Sequence, residues 1–204
     1  MKITMIVEGK TERAFLPHLR RFLRAHLQGN MPNLDVYVYK GRIPTENKLR
    51  RIVQRLLDGP NASDHVIALT DVYTGSNPPE FPNAEASKDK MRQWVGHEPR
   101  FHPHVALHDF EAWLLPYWDT IKKLAGHQKG PPHGNPETIN DHRPPSHLLK
   151  EIFEIGSCRD SYVKPRDADR ILRDNDLHLA IAACSELKSL VNTIISLCGG
   201  TAIP

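Results

Sequence analysis

The 204-residue sequence has few aromatic residues, few cysteines and no long apolar run. Its three cysteines, Cys158, Cys184 and Cys198, match no metal or redox spacing, and their odd number argues against a disulfide framework. No segment approaches the roughly eighteen apolar residues of a membrane span, and the first residues lack the pattern of a signal peptide. We therefore expect a protein of the reducing cytoplasm without a membrane segment.

Two catalytic signatures are also missing. The sequence contains neither the P-loop of nucleotide hydrolases nor the Gly-x-Ser-x-Gly elbow of serine hydrolases. Its charge, by contrast, is unevenly distributed. Residues 1–60 carry 12 Lys and Arg against 5 Asp and Glu, whereas the remainder carries 15 against 19. A basic half favours a polyanionic partner, although most charged runs are solvated surface.

Apolar residues in the first half of the chain alternate between strand and helix periodicity. Strands are predicted at residues 3–7, 35–40, 65–70 and 102–108, and helices at 11–27, 45–58 and 84–95. This alternation predicts an α/β fold with a central parallel sheet of about four strands flanked by helices. A strand order of 2-1-3-4 would place the first and third strands side by side.

The later part of the chain is expected to be helical and rich in loops. Residues 75–79 and 126–147 predict loops, the longer one a lid or spacer, and helices are predicted at 145–155, 168–173 and 177–197. In the first helix, Thr11 is expected to cap the start and Pro17 to cause a kink or break, after a tight turn at Gly9. We divide the chain into an α/β core, residues 1–120, and a C-terminal helical extension packed on it, residues 121–204.

Acidic residues follow three of the predicted strands. Glu8 ends the first strand, Asp71 ends the third and Glu111 follows the fourth, while Glu12 lies in the first turn of the first helix. The carboxyl ends of parallel strands meet at one edge of a sheet, so we expect these side chains to converge. Clustered carboxylates repel one another unless a hard cation binds them, which favours Mg²⁺ or Mn²⁺ over Zn²⁺. For Glu12 alone, a simple interaction with the helix dipole is the alternative.

Two further groups of residues have a functional and an ordinary interpretation. The histidines of the fourth strand, His102, His104 and His108, alternate along it and could bind zinc, but Pro103 favours an edge strand on which histidines are commonly exposed. Basic residues on the first two helices could bind a nucleic-acid backbone, or could simply be solvated. These residues are Arg20, Arg24, Lys48, Arg51 and Arg55.

Several motifs together resemble a known family. The opening Val7-Glu8-Gly9-x-Thr11-Glu12, followed by an apolar strand that ends in Asp71, resembles a TOPRIM domain, in particular that of OLD-type nucleases. More narrowly, the chain resembles a compact bacterial family of unknown function, domain-of-unknown-function 4276. The motifs shared with that family also include Asp71-Val72-Tyr73, Phe110 to Leu115, and Tyr162-Val163-Lys164.

The resemblance implies a TOPRIM-like, Rossmann-like fold and a divalent-metal-dependent nuclease that cleaves phosphodiester bonds, most simply in DNA. It implies that Glu8 is a metal ligand or general acid/base, and that Glu12 and Asp71 are metal ligands. Glu111 would bind a second ion, and Lys164 would face a phosphate. Since OLD-type domains usually accompany an ATPase, it also implies a separate ATPase subunit and a role in phage defence. A homo-oligomer is a further expectation.

One position departs from the family pattern. TOPRIM domains commonly carry Asp-x-Asp, but the second acid is Tyr73 here. A two-metal arrangement would then require Glu111 or Asp109 to substitute. The departure favours an alternative function, a non-catalytic regulatory subunit that binds nucleic acid or nucleotide and controls a partner ATPase.

Overall fold

The computed structural model describes residues 1–39, 41–73, 81–139, 143–158 and 161–204. Four strands, β1 (Lys2–Val7), β2 (Asn33–Val38), β3 (His65–Val72) and β4 (Phe101–Leu107), form one parallel sheet in the order β2-β1-β3-β4. The predicted α/β class and strand order are confirmed. The loop predicted at residues 75–79 lies outside the described residues.

Two helical layers cover the sheet. The helices are α1 (Lys10–Leu27), α2 (Glu46–Asp58), α3 (Ala84–Val95), α4 (Trp118–Ala125), α5 (Pro145–Ile155), α6 (Lys164–Arg173), α7 (Leu177–Ala183) and α8 (Ser185–Leu197). A 3₁₀ helix, Phe110–Tyr117, precedes α4. Ile3 and Met5 of β1 pack with α1 and the later helices, whereas Ile6 packs with α2 and α3. Because both faces are covered, β1 is buried from Ile3 to Val7, and its one polar side chain in that run, Thr4, is hydrogen-bonded to the Ser63 hydroxyl at 2.7 Å.

The C-terminal helices share their core with the sheet. Helix α6 packs along α1, α7 packs on the 3₁₀ helix, and α8 packs on β4. Phe15 of α1 and Ile194 of α8 accordingly belong to the same cluster of buried apolar side chains. The division into a core and an extension near residue 120 stays a prediction.

The start of α1 differs from the sequence expectation. Helix α1 begins at Lys10 with Gly9 rather than Thr11 as its N-cap, and the Glu12 carboxylate accepts a hydrogen bond from the Gly9 N–H at 3.1 Å. The backbone of Gly9 is extended rather than left-handed, so a tight turn does not explain why this position is a glycine. Pro17 lies inside the continuous helix. Its ring is exposed, so water can satisfy the carbonyl that it leaves without a partner.

Three other boundaries are corrected. The second strand begins at Asn33 instead of residue 35. The helix expected at 168–173 begins at Lys164, with Pro165 in its first turn, where a missing N–H costs no helical hydrogen bond. The helix expected at 177–197 is two helices that meet at Cys184 with a bend of 117°.

None of the described helices is by itself both long enough and apolar enough to cross a membrane. Helices α7 and α8 would reach that length and composition together, but the bend separates them. The three cysteines are free, with Cys184 buried and Cys158 exposed.

Candidate metal centre at the carboxyl edge of the sheet

Glu8 and Glu12 lie where β1 passes into α1. Glu8 is held from the neighbouring strand, because its Oε1 accepts hydrogen bonds from the Thr70 hydroxyl and, at 3.2 Å, from the Asp71 backbone N–H. Glu12 is 8% exposed. Burial raises the pKa of Glu12, and the nearby Glu8 raises it further, while hydrogen bonds to the backbone partly oppose the shift. Both carboxyl groups are therefore fixed by backbone contacts at the strand ends.

Asp71 lies near the end of β3, beside β1 in the sheet. Burial raises the pKa of Asp71 well above its usual range, and four other carboxyl groups add to the rise. In order of effect these are Glu8, Glu12, Asp109 and Glu111. The acids that follow β1 and β4 thus both raise the pKa of Asp71 on β3, which indicates that the carboxyl groups of the three strand ends face a common space.

Asp109 and Glu111 follow β4. Glu111 is 1% exposed, and it accepts hydrogen bonds from the Tyr162 hydroxyl and the Lys164 ammonium group, each at 3.2 Å. Burial and the nearby Asp109 raise the pKa of Glu111 to about 7, although Lys164 lowers it. Burial lowers the pKa of Lys164, but Glu111 and Asp109 outweigh that effect, so its pKa is raised and the amine stays charged.

Asp109 is incompletely paired. Its Oδ2 accepts a hydrogen bond from the Ser146 N–H at the start of α5, at 3.1 Å. Its Oδ1 is buried and has no hydrogen-bond partner among the described residues. A buried carboxylate oxygen without a partner is costly, so it is a place where a cation would bind favourably.

The position of Lys164 follows from the packing of α6 on α1. His18 pairs with Asp169 at 2.9 Å, and Arg21 donates hydrogen bonds to the carbonyls of Leu172 and Arg173 at the end of α6. Residues further along α1 contact residues further along α6, so the two helices run parallel. Their N-termini, with the positive ends of both helix dipoles, lie at the same edge as the carboxyl groups.

The donor set suits an oxygen-preferring divalent ion. Its atoms are carboxylate oxygens, it includes the unpartnered Asp109 Oδ1, and its mutual repulsion would be relieved by a cation. Within the described ranges, however, no three His, Cys, Asp or Glu side chains are arranged to hold a metal ion. The residues therefore fit such an ion in chemistry and in location, while the side chains shown do not enclose one.

The basic residues predicted to bind nucleic acid divide into two groups. Lys48 and Arg55 lie on α2 over the rings of Tyr39 and Tyr37, at 5.1 and 5.4 Å, and Arg51 is exposed between them. The other group lies on α1, on the opposite face of the sheet. There Arg24 is exposed, while Arg20 donates a hydrogen bond to the Leu34 carbonyl. The groups flank the edge strand β2 rather than forming one face.

The histidines of the fourth strand are not brought together. His102 contacts His65 of β3, with 3.2 Å between ring nitrogens, and burial lowers the pKa of His102 to about 4. Burial lowers the pKa of His104 to about 3. His108 lies beyond the strand with a left-handed backbone and its ring against Tyr73. The described residues form no zinc site here, and β4 is an edge strand, as Pro103 predicted.

Sequence reasoning undervalued two residues of this edge. From sequence, Asp109 is only a substitute ligand, although it lies two residues beyond the end of β4. Thr70, which precedes Asp71 and donates a hydrogen bond to Glu8, carries no sequence signal of its own.

A cleft of about 590 Å³ lies between α1 and α7, around Phe22 and His178 and away from the carboxyl groups.

Comparisons with known proteins agree with this architecture. The family model described as "Domain of unknown function (DUF4276)" matches residues 7–195. The structure is similar to the C-terminal region of the Burkholderia pseudomallei OLD protein, with a TM-score of 0.56 and 14% identity over 96% of this chain and 98% of that one. It is also similar to the C-terminal region of the Xanthomonas campestris pv. campestris OLD protein, with a TM-score of 0.50 and 15% identity over 97% and 95%. No curated protein matches the chain.

Proposed function

Since the chain belongs to the DUF4276 family and shares the fold of OLD C-terminal regions, we propose that it is a divalent-metal-dependent nuclease that cleaves phosphodiester bonds. The observation that carries the proposal is the set of carboxyl groups at the ends of β1, β3 and β4, whose electrostatic effects all reach Asp71. Structural acids are normally paired singly with cations or with N–H groups. A mutually repelling set at a parallel sheet edge is typical of a functional site.

Mg²⁺ or Mn²⁺ would bind among Glu8, Glu12 and Asp71, and a second ion would bind at Glu111 with the unpartnered oxygen of Asp109. A bound ion would activate water and stabilise the leaving oxygen of the phosphodiester. Asp109 and Glu111 thus compensate for Tyr73, which turns its ring toward His108 where the family pattern has an acid. Because the side chains shown do not enclose an ion, binding requires them to move.

The protein's own groups would then hold and move protons. The Thr70 hydroxyl and the Asp71 N–H orient Glu8, which leaves its second oxygen to accept a proton from the attacking water. Lys164 is half-exposed and positively charged, so it can bind a phosphate oxygen as negative charge develops. Tyr162 keeps the Glu111 carboxyl in place for that step.

The partners follow from the resemblance to OLD proteins. We propose that the substrate is DNA, that the basic residues beside β2 contribute to its binding, and that a separate ATPase subunit controls cleavage in phage defence in the cytoplasm. The exposed Lys48, Arg51 and Arg55 support the binding role, because exposed cations on one helix can contact successive phosphates. Assembly of several copies of the chain is part of the same proposal.

A second candidate function is a regulatory subunit that binds nucleic acid or nucleotide without cleaving it. Two observations favour it: Tyr73 replaces an acid, and no three possible ligands among the described residues are arranged to hold an ion. In that case the Lys164–Glu111 ion pair, 3.2 Å long, would be a permanent structural contact.

Incubation of plasmid and single-stranded DNA with the purified protein and Mg²⁺ or Mn²⁺ separates the two functions. We expect cleavage that EDTA abolishes and that Glu8→Gln or Asp109→Asn reduces by about 100-fold or more. Asp174→Asn, at the exposed end of α6, is the matched control and should cleave like the wild type. Binding without cleavage in either metal would support the regulatory function instead.

A further inference from the structure

The chain leaves the fourth strand of the sheet through a residue with an unusual backbone. Strand β4 ends at Leu107, and the next residue, His108, still donates its N–H to the Val72 carbonyl of β3 at 2.8 Å. The φ angle of His108 is 66°, in the left-handed region, and Asp109 is extended again before the 3₁₀ helix begins. A single left-handed residue therefore separates the strand from the two acids that follow it, Asp109 and Glu111.

This conformation is unfavourable for any residue with a side chain, although histidine and asparagine adopt it more readily than most. Among the described residues other than glycine, it occurs at Gln28, Glu46 and His108. Gln28 and Glu46 are exposed residues at helix ends. His108 is instead 4% exposed, and its ring stands edge to face against the Tyr73 ring, with 5.8 Å between centroids. Packing inside the protein therefore holds His108 in this conformation.

The backbone of His108 decides where the two acids lie. Because both follow it within three residues, a rotation at His108 would move them together. In the left-handed conformation, Asp109 accepts a hydrogen bond from the Ser146 N–H and keeps its other oxygen buried, without a partner among the described residues. Glu111 at the same time reaches the Tyr162 hydroxyl and the Lys164 ammonium group. The left-handed turn thus brings both acids to the candidate metal centre.

We propose that His108 is a positioning residue for the second metal ion, which rests on the proposed nuclease function. Its left-handed backbone, held by the Tyr73 ring, directs Asp109 and Glu111 toward that ion. Strained backbone held by its surroundings commonly preorganises functional sites in this way. The imidazole acts here through packing and is not itself a ligand. Tyr73, which stands where the family pattern has an acid, supports the substitute acids instead of binding the ion.

Electron paramagnetic resonance of Mn²⁺, which counts bound ions without requiring cleavage, tests this role. The wild type should bind two ions, and Asp109→Asn identifies the second one by weakening it. His108→Val should weaken the same ion by about tenfold or more and leave the first unchanged, because a β-branched residue strongly disfavours the left-handed backbone. His108→Asn should bind the second ion within about threefold of the wild type, because asparagine adopts that backbone.

Two further variants separate this role from a general effect on folding. Gln28→Val makes the same backbone change at the C-cap of α1, at the end of the helix away from the carboxyl groups. It should lower the melting temperature and leave both ions bound. Tyr73→Leu removes the packing on His108 by another route and should weaken the second ion alone. Melting curves in EDTA identify the folded variants, and Tyr73→Leu decides the test if His108→Val does not fold.

Unchanged affinity for the second ion in folded His108→Val or Tyr73→Leu would overturn the positioning role. Equal losses in His108→Asn and His108→Val would also overturn it, because the ring rather than the backbone would then matter. The nuclease proposal fails separately. A wild type that binds one ion keeps the first metal site and loses the role of His108, whereas a wild type that binds none loses both.

Discussion

Buried acids occur in two regions of this molecule, and their surroundings differ. In the C-terminal helices, Asp167 is fully buried and accepts hydrogen bonds from the Val163 N–H and from the guanidinium groups of Arg166 and Arg170. At the carboxyl edge of the sheet, Asp71 is surrounded by other acids. Both regions contain buried aspartates, but Asp167 has a donor at each carboxylate oxygen, whereas Asp109 at the sheet edge has a buried oxygen, Oδ1, with no partner among the described residues.

The same contrast holds for glutamates. Glu137 is 2% exposed, and its two oxygens accept hydrogen bonds from the Trp113 indole, the Ser185 hydroxyl and the Glu186 N–H, which ties the loop before α5 to the start of α8. Glu111 is as deeply buried but faces Asp109 and a half-exposed lysine. Burial of an acid is therefore not by itself a sign of function. What distinguishes the candidate site is that several carboxyl groups repel one another and that Asp109 has a buried oxygen without a hydrogen-bond partner among the described residues.

The largest expected effect is at Asp167, because both of its carboxylate oxygens accept hydrogen bonds. Asp167→Asn keeps the shape of the side chain, but it removes the charge that pairs with Arg166 and Arg170 and leaves an amide facing donors. We expect a loss of about 3 kcal/mol in the free energy of unfolding, at the lower end for a broken buried pair because both arginines are partly exposed. Urea denaturation of the wild type and the variant measures this change.

The control for Asp167 is Asp174→Asn on the exposed end of the same helix, which should change stability by less than about 0.5 kcal/mol. An Asp167→Asn variant as stable as the wild type would mean that hydrogen-bond saturation does not mark the structural acids, and the contrast between the two regions would lose its basis.

An intermediate effect is expected from pH. Burial and Asp109 raise the pKa of Glu111 from 4.5 to about 7 in the folded protein, so the folded state holds a proton that the unfolded state releases. The resulting stability is fully present below pH 4.5 and is lost as the pH rises through about 7. In EDTA, Glu111 should therefore lower the stability of the metal-free protein by roughly 1 kcal/mol for each pH unit of that interval.

Glu111→Gln should remove this contribution together with the part of the Asp71 pKa shift that Glu111 causes, so the difference between the two stability profiles measures both. His102 and His104, whose pKa values are lowered by burial, change stability in the opposite direction on acidification, but equally in both proteins. Parallel profiles for wild type and Glu111→Gln would show that Lys164 compensates the carboxylate fully.

The sequence was informative where the pattern of apolar residues identifies a strand, or where the position of an acid relative to a strand end identifies a candidate ligand. Short, mainly apolar runs identified β1 and β3, and the rule that ligands bind beyond the carboxyl ends of parallel strands identified Glu8 and Asp71 as candidates. Their shared edge follows from the confirmed strand order. Glu8 directly follows the last residue of β1, and Asp71 lies one residue before the end of β3, so no tertiary information was needed to propose them.

The rest depends on contacts between distant parts of the chain. Nothing local shows that Glu137 binds the start of α8, that Ser146 donates to Asp109, or that Cys184 separates two helices. The basic residues illustrate the same difficulty. Lys48 and Arg24 each lie on a predicted helix with an apolar stripe, yet their helices lie on opposite faces of the sheet. The sequence does not show which face of the sheet a helix covers, because that depends on the fold.

The smallest expected effect is at Asp71, where the same chemical change should have the opposite sign. Asp71→Asn keeps the shape and removes one of the carboxyl groups that repel one another. We expect the metal-free protein to gain about 1 kcal/mol in the free energy of unfolding, since functional sites often lower stability. The gain should increase as the pH rises, because the raised pKa of Asp71 means that its carboxyl group becomes charged, and so repels its neighbours, only at a higher pH than usual.

Metal should reverse the ranking of the two proteins. A ligand stabilises the folded state according to its affinity, so Mn²⁺ should raise the melting temperature of the wild type more than that of Asp71→Asn. Melting curves of both proteins with EDTA and with Mn²⁺ measure the two effects together. If Asp71 has a structural role like that of Asp167, the variant will instead be less stable in EDTA and will keep the full response to Mn²⁺. That outcome would remove Asp71 from the site and would leave Glu8 without the neighbouring acid on which the metal centre depends.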